Sequence, residues 1–434
     1  MEPQLIGWLS IGGLFLLLVL RVPVAFALAT VGFLSYLVLT GLEPALFIAG
    51  AAPYSKIANY SFTVIPLFIL MGHFAHQAGF VTDIFDTARK WVGWLPGGVV
   101  QATVVGAAAF GAACGSGMAS CAVVGKVTIP EMRRQGVQKE LSFGAVAAAG
   151  TIAAMIPPSN IMVIYGIITE SSIGRLLIAG IIPGIVAAAI YMIQIFIRVK
   201  LNPSLAPPME EKVTWKDRLI SLKGIWGIAA IAFIVMGGIY SGVFTPTEAG
   251  AVGAFSTFVM ALAMRRLTWS SLGNVLLETT KTVGMIFLIV TGAAIFSYLL
   301  AITRIPNNIS EFIVGLEMSR WWVLAGVMLL YLVMGTFIDS ISAMILTLPI
   351  IFPAIMALGF NPIWFGVLMV HLVEVALITP PFALNIFILK GVIEDATIGD
   401  IIRGIAPFLI ADMITLILYI VFPQLALWLP SMMR

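Results

Sequence analysis

The stretch "AAMIPPSNIMVIYG", residues 153–166, interrupts a run that is otherwise apolar enough for one membrane helix. A second interruption, "ITPPFALNIF" at 378–387, stands in an equally apolar run. A Pro-Pro pair removes two backbone donors and clashes with the preceding turn, so the helix breaks and carbonyls around Met155 and Ile156 lose their partners. Lipid supplies no replacement hydrogen bonds. Open backbone is tolerated at that depth only where it lines a cavity or binds something.

Composition agrees with a membrane setting: 61% of the 434 residues are hydrophobic, 10% are charged, and the mean hydropathy is +1.09. Such a chain is an all-α polytopic membrane protein. The net charge of +3, from 23 basic and 20 acidic residues, is too near balance to point to a nucleic-acid partner. Cys114 and Cys121 are two helical turns apart in an apolar stretch, beyond disulfide reach, and read as small apolar residues. The first apolar run, Leu5 to Leu20, lacks a basic leader and a cleavage site, so it is expected to stay as a membrane helix.

A spanning helix needs about 20 apolar residues. Ten segments qualify, near 4–20, 22–40, 62–81, 141–169, 176–198, 225–242, 248–264, 275–301, 363–389 and 404–422. Residues 99–131 and 322–358 are too long for one crossing and too short for two, and are broken centrally by "CGSGMAS" and "GTFIDSIS". Each reads as a re-entrant hairpin. With that layout, sixteen basic residues, including Arg133, Arg134, Lys212 and Arg218, collect on one side, and five, Lys56, Arg175, Arg304, Arg320 and Arg434, on the other. The first side is therefore cytoplasmic and both termini face outward.

Residue n matches residue n+223: Pro130 falls on Pro353, Gly136 on Gly359, Pro157 on Pro380 and Pro158 on Pro381. The domains expected are an N-terminal half, 1–198, a cytoplasmic linker, 199–224, and a C-terminal half, 225–434. The loop after the first hairpin, "RRQGVQKE", is basic and its counterpart "ALGFNP" is not. The repeats are therefore inverted, as in many secondary transporters, whose sites lie near mid-membrane.

The half-helix after Pro158 aims amide groups and a positive dipole end at the break, where Ser159 and Asn160 add side-chain groups for a carboxylate. Thr379, with Asn385 further on, repeats the device. At the first hairpin tip Gly115, Ser116 and Ser120 offer oxygens for a cation, with Pro157 at the adjoining break; at the second tip Thr336, Asp339, Ser340 and Ser342 do so. Asp339 is the sharpest signal, because a carboxylate inside a membrane is costly unless paired with a cation or proton. Hard oxygen ligands of this kind suit sodium; nothing in them alone selects it over a proton. Arg304 is a candidate for the substrate carboxylate, against snorkelling to the interface. His371 and Glu374 share a helix face, open to a proton relay or a buried polar pair. Glu248 reads as a helix cap. His73 and His76, with no third ligand in view, read as packing rather than metal ligands.

At these residues the chain resembles the DctM-like large membrane subunit of tripartite ATP-independent periplasmic (TRAP) transporters. The matching stretches are "AAAGTIAAMIPPSNIMVIYGIITESSIGRLLIAGIIPGI", "GGIYSGVFTPTEAGAVGA", "LVMGTFIDSISAMILTLPIIFPAIMALGFNPIWFGV" and "EVALITPPFALNIFI", spread over nearly the whole chain. The resemblance implies an elevator-type ion-transporter fold in a bacterial inner membrane and import of an organic acid, such as a C4-dicarboxylate, with sodium as coupling ion and no other cofactor or metal. It also implies two partners: a small four-helix membrane subunit, here on a separate polypeptide, and a periplasmic substrate-binding protein. The family's serine-rich first tip and following aspartate are replaced by Cys114, Gly117 and Ser120, which leaves fewer side-chain oxygens there. The competing readings are a standalone sodium- or proton-coupled carrier and a channel. An intramembrane enzyme lacks a nucleophile, base and orienter at suitable spacing.

Overall fold

The computed structural model describes residues 2–208, 213–315, 318–380 and 383–433, apart from the side chain of residue 314. Pro381, Lys212 and Arg434, used in the sequence reading, lie outside the described residues. The described chain is helical throughout, with no strand. It runs α1 (Pro3–Val19), α2 (Val24–Thr40), α3 (Leu42–Ile57), α4 (Val64–Gln77), α5 (Phe80–Val92), α6 (Gly98–Cys114), α7 (Gly117–Arg134), α8 (Lys139–Met155), α9 (Asn160–Ile168), α10 (Ile173–Ala179) and α11 (Ile181–Leu201). It continues with α12 (Trp215–Tyr240), α13 (Pro246–Ala263), α14 (Trp269–Thr303), α15 (Ile305–Gly315), α16 (Arg320–Gly335), α17 (Ser340–Ala357), α18 (Pro362–Ala376), α19 (Leu384–Val392), α20 (Ile398–Val421) and α21 (Gln424–Ser431).

Among the described residues, five helical stretches are long and apolar enough to cross a membrane, and counting two bent helix pairs as spans raises this to seven. Pro3–Val19, Val24–Thr40, Gly98–Cys114, Arg320–Gly335 and Pro362–Ala376 are apolar but shorter. Several elements differ from the hydropathy reading. The linker is shorter than 199–224, because α11 runs on to Leu201 and α12 starts at Trp215, where Thr214 and Asp217 close a capping box. Segment 176–198 is two helices meeting at Gly180. Helix α5 was not expected, since Asp83, Asp86, Arg89 and Lys90 depress its hydropathy. Its other face buries Phe80, Val81, Ile84, Phe85 and Ala88, so amphipathicity rather than mean apolarity forms it.

The order hairpin, broken helix, helix occurs twice: α6–α7, α8–α9 and α10–α11, then α16–α17, α18–α19 and α20. The second piece of each broken helix packs against the hairpin and broken helix of the other set, α9 on α17 and α18, and α19 on α7 and α8. The two hydrophobic cores follow this exchange. One gathers Ile161 to Tyr165 of α9 with Met344 and Leu348 of α17 and Leu368 to Leu372 of α18. The other gathers Ile386 and Leu389 of α19 with Cys121 and Val124 of α7 and Phe143 to Ile152 of α8. Helices α8 and α20 meet backbone to backbone, where a Cβ on Gly144 would fall on the Gly404 carbonyl oxygen. Small residues permit such an approach between apolar helices.

Two ion pairs tie the two sets together: Arg133, in the last turn of α7, with Asp395 of the α19–α20 connection, and Lys139, which starts α8, with Asp400 in the first turn of α20 at 2.7 Å. The hydrogen bond from Arg133 holds the Asp395 carboxyl below its usual range. A buried polar cluster pins four helices deeper in the bundle. The Tyr191 hydroxyl of α11 donates to Asp412 Oδ1 of α20 at 2.5 Å. His371 Nε2 of α18 stands 3.6 Å from that oxygen, and Thr151 of α8 lies 3.4 Å from the tyrosine hydroxyl. His371 thus turns to Asp412 and not to Glu374. Replacing Asp412 by alanine strands the tyrosine and imidazole groups in the interior, a cost of about 2–4 kcal/mol. Thermal unfolding in detergent is expected to show a drop of several degrees for Asp412→Ala and a smaller one for Asp412→Asn, which keeps an acceptor for Tyr191.

Candidate functional site

The first tip forms because Gly115 takes a left-handed conformation (φ 61°) that ends α6, and Ser116 then caps α7, its hydroxyl oxygen accepting from the Ala119 amide at 3.4 Å. The tip docks on the first Pro-Pro break. The Asn160 amide donates to the Gly115 carbonyl at 3.2 Å, and a Cβ on Gly115 would strike the Pro158 carbonyl oxygen. At the break, Pro157 and Pro158 are buried, their peptide bond is cis, and α8 and α9 are bent by 46°. The Ser159 hydroxyl is used as a cap, accepting from the Met162 amide at 3.3 Å. The N-termini of α7 and α9 therefore converge, both presenting amides and a positive dipole end.

The second tip docks on α18 just before the second break. The Ser340 hydroxyl lies 3.2 Å from both the Val373 carbonyl and Glu374 Oε1. Glu374 is 1% exposed, and its Oε2 has no hydrogen-bond partner among the described residues. That oxygen lies against the first turn of α7, where a Cβ on Gly117 would overlap it. One carboxylate thus touches both tips, with no lysine or arginine of the described residues within ion-pair distance. A buried carboxylate of this kind is costly until a cation or proton joins it.

A cavity of ≈ 330 Å³ opens in front of these groups, lined by Gly115, Ser116, Asn160, Ser340 and Glu374 on the tip side and by His73, His76 and Thr282 on the other. The buried Asn160, which also lines the cavity, has an Oδ1 without a hydrogen-bond partner among the described residues. Four sequence-selected residues, Gly115, Ser116, Asn160 and Ser340, are brought together here. The others stand elsewhere. Ser120 is buried in α7 with an unpartnered hydroxyl but does not line the cavity. Thr336 and Thr379 donate to their own helices, at the Val333 and Val375 carbonyls. Asn385 donates to the Ala147 carbonyl of α8 at 3.2 Å. Arg304 is exposed at the α14–α15 joint.

Asp339, the sharpest expectation, is the N-cap of α17. Its Oδ1 accepts from the Ile341 and Ser342 amides at 3.1 and 3.0 Å, and its Oδ2 from the Ser342 hydroxyl at 2.5 Å. Asp339→Ala is accordingly expected to cost about 1 kcal/mol of stability through the lost cap, and Asp339→Asn little. Sodium titrations of uptake check the assignment; a lost sodium response in Asp339→Asn would return the ion to this residue. Glu248 likewise closes a capping box with Thr245.

The cavity also brings in Glu374, His73 and His76, which the sequence did not place beside the tips. A lone acid in an apolar run was the available signal for Glu374, and its meeting with Gly117 had none, since a glycine marks no contact.

Residues 11–425 match the family model described as the tripartite ATP-independent periplasmic transporter, DctM component. The chain belongs to this family. The permease is 36% identical to a C4-dicarboxylate TRAP transporter large permease protein of Pseudomonas aeruginosa, covering 86% of this chain and 87% of that one. It is 30% identical to a sialic acid TRAP transporter large permease protein of Vibrio cholerae, covering 100% and 99%. Among solved structures it shares a fold with the YdaH transporter of Alcanivorax borkumensis, with a TM-score of 0.59, 12% identity, and coverage of 88% and 89%.

Proposed function

We propose that the permease is the large membrane subunit of a binding-protein-dependent secondary transporter that imports an organic acid anion with sodium. The observation that carries this reading is the pair of buried, unpartnered oxygens, Glu374 Oε2 and Asn160 Oδ1, at one cavity between two hairpin tips. The donor set is all oxygen: a carboxylate, an amide, the Ser116 and Ser340 hydroxyls and tip carbonyls. Such hard ligands fit sodium, and the amides at the N-termini of α7 and α9 fit an anion beside it. The relatives' named cargoes, a C4-dicarboxylate and sialic acid, are both carboxylic acids.

The same geometry gives coupling. An anion placed about 4 Å from the bare Glu374 carboxylate meets a repulsion of about 4 kcal/mol at an effective dielectric of 20. That is roughly a thousandfold in affinity. Sodium on Glu374 cancels it, so cation binding precedes and enables cargo binding. The Ser340 contact makes the second tip sense the same charge, so loading closes both tips over the site.

The hairpin legs have 17, 18, 16 and 18 residues, at the short end of what a membrane crossing needs, and each pair is joined by a tight turn. In this reading they enter and turn back as inverted repeats, with the basic loops in the cytoplasm of a bacterium and the hairpin-bearing domain sliding across its inner membrane. The partners are a small four-helix subunit and a periplasmic binding protein. Uptake by proteoliposomes tests the assembly: accumulation only when both partners are added supports it, and accumulation by this chain alone makes it a standalone carrier.

A further inference from the structure

We infer that His73 and His76 form a carboxylate-binding subsite on the wall of the cavity that faces the hairpin tips. The inference rests on the reading of that cavity as the cargo's. The two residues lie three apart on α4, hence on one helix face, and both line the ≈ 330 Å³ cavity together with Thr282 of α14. The opposite wall carries Glu374, Asn160 and the first tip. The same two helices also line the cavity with apolar side chains, Ile69 one turn before His73 on α4 and Met285 and Ile286 one turn after Thr282 on α14.

An organic anion in this cavity must satisfy its own charge, because a cation at Glu374 neutralises only that residue. Among the described lining residues the histidines are the only side chains able to carry positive charge; no lysine or arginine lines the cavity. Imidazole also donates a hydrogen bond when neutral. Neither ring makes a hydrogen bond within the described residues, His73 is half-buried and His76 is exposed, so their donors are free for a ligand. A histidine that only packs between helices would be enclosed, with its ring nitrogens bonded to neighbouring groups.

The ligand class follows from the two walls. One oxygen-bearing end meets the amides of α7 and α9, a short apolar skeleton lies along Ile69, Met285 and Ile286, and a carboxylate reaches the histidine pair. A small dicarboxylate or a sugar acid has this shape, and the cavity volume suits it.

The test uses the complete three-component transporter in proteoliposomes, with radiolabelled succinate and sialic acid as probes. The double variant His73→Ala/His76→Ala is expected to raise KM at least tenfold with maximal rate and half-saturating sodium near wild type. His73→Gln/His76→Gln, which restores donors, should recover most of the affinity. Should the double alanine variant unfold, His76→Ala alone carries the test, with an expected rise of at least threefold. An alanine variant with wild-type KM, or a KM defect that glutamine does not relieve, overturns the subsite. Uptake of neither probe by the wild type rejects the proposed ligand class. Absence of sodium dependence in the wild type strikes instead at the reading of the Glu374 site.

Discussion

Glu374→Gln is expected to abolish the sodium dependence of uptake while leaving the fold in place. Glutamine keeps the shape and an acceptor for the Ser340 hydroxyl, now 3.2 Å from Glu374 Oε1, but removes the charge that calls for a cation in a fully buried position. Breaking a buried cation–carboxylate contact costs about 3–5 kcal/mol, so sodium affinity should fall by more than a hundredfold. Because the neutral variant no longer repels an anion, a small sodium-independent uptake should emerge alongside the loss. Glu374→Ala should show neither, since it also releases the second tip. Initial rates over a sodium series check this. A wild-type half-saturating sodium concentration in Glu374→Gln would remove the residue from the ion site.

The second large effect lies on the other wall of the same contact. At Gly117 any Cβ would overlap Glu374 Oε2, so even Gly117→Ala must displace either the Glu374 carboxylate from its place between the tips or the first tip from α18. Overpacking of this kind costs about 1–3 kcal/mol, and the strain falls on the contact that joins the two tips. Uptake by Gly117→Ala should drop at least tenfold and that by Gly117→Val to background. The thermal unfolding temperature should change by only a few degrees, because the cores on either side keep their packing. Equal losses of uptake and of folded protein would make Gly117 a packing residue and nothing more.

Much of this arrangement was legible in the sequence because backbone breakers punctuate it. Pro157, Pro158 and Pro380 cannot continue a helix, and Gly115 with Ser116 signals a turn followed by a cap, so the breaks and first tip were located before any contact was known. The meeting of these parts was less legible. The alignment at n+223 related like elements, whereas the working contact joins unlike ones, α18 of one set to α7 of the other. Asp339 was harder to place, because an aspartate before "SIS" satisfies two physical demands equally in sequence, a buried cation and a helix N-terminus, and the bonds to Ile341 and Ser342 show the second. That His73 and His76 line the cavity was not legible, because the face of α4 that meets it depends on how α4 lies against α6 and α14. Helix α5 escaped a search for mean apolarity because four of its thirteen residues are charged.

The central claim is that the buried carboxylate between the tips holds the coupling cation. The most direct measurement is a sodium titration of the thermal stability of the purified permease, at constant ionic strength with potassium as the balancing ion, for the wild type and Glu374→Gln. A ligand at a hundred times its dissociation constant adds about 2.7 kcal/mol. Sodium should therefore raise the unfolding temperature of the wild type by several degrees and leave that of Glu374→Gln unmoved. No rise in the wild type, or the same rise in both proteins, would contradict the claim.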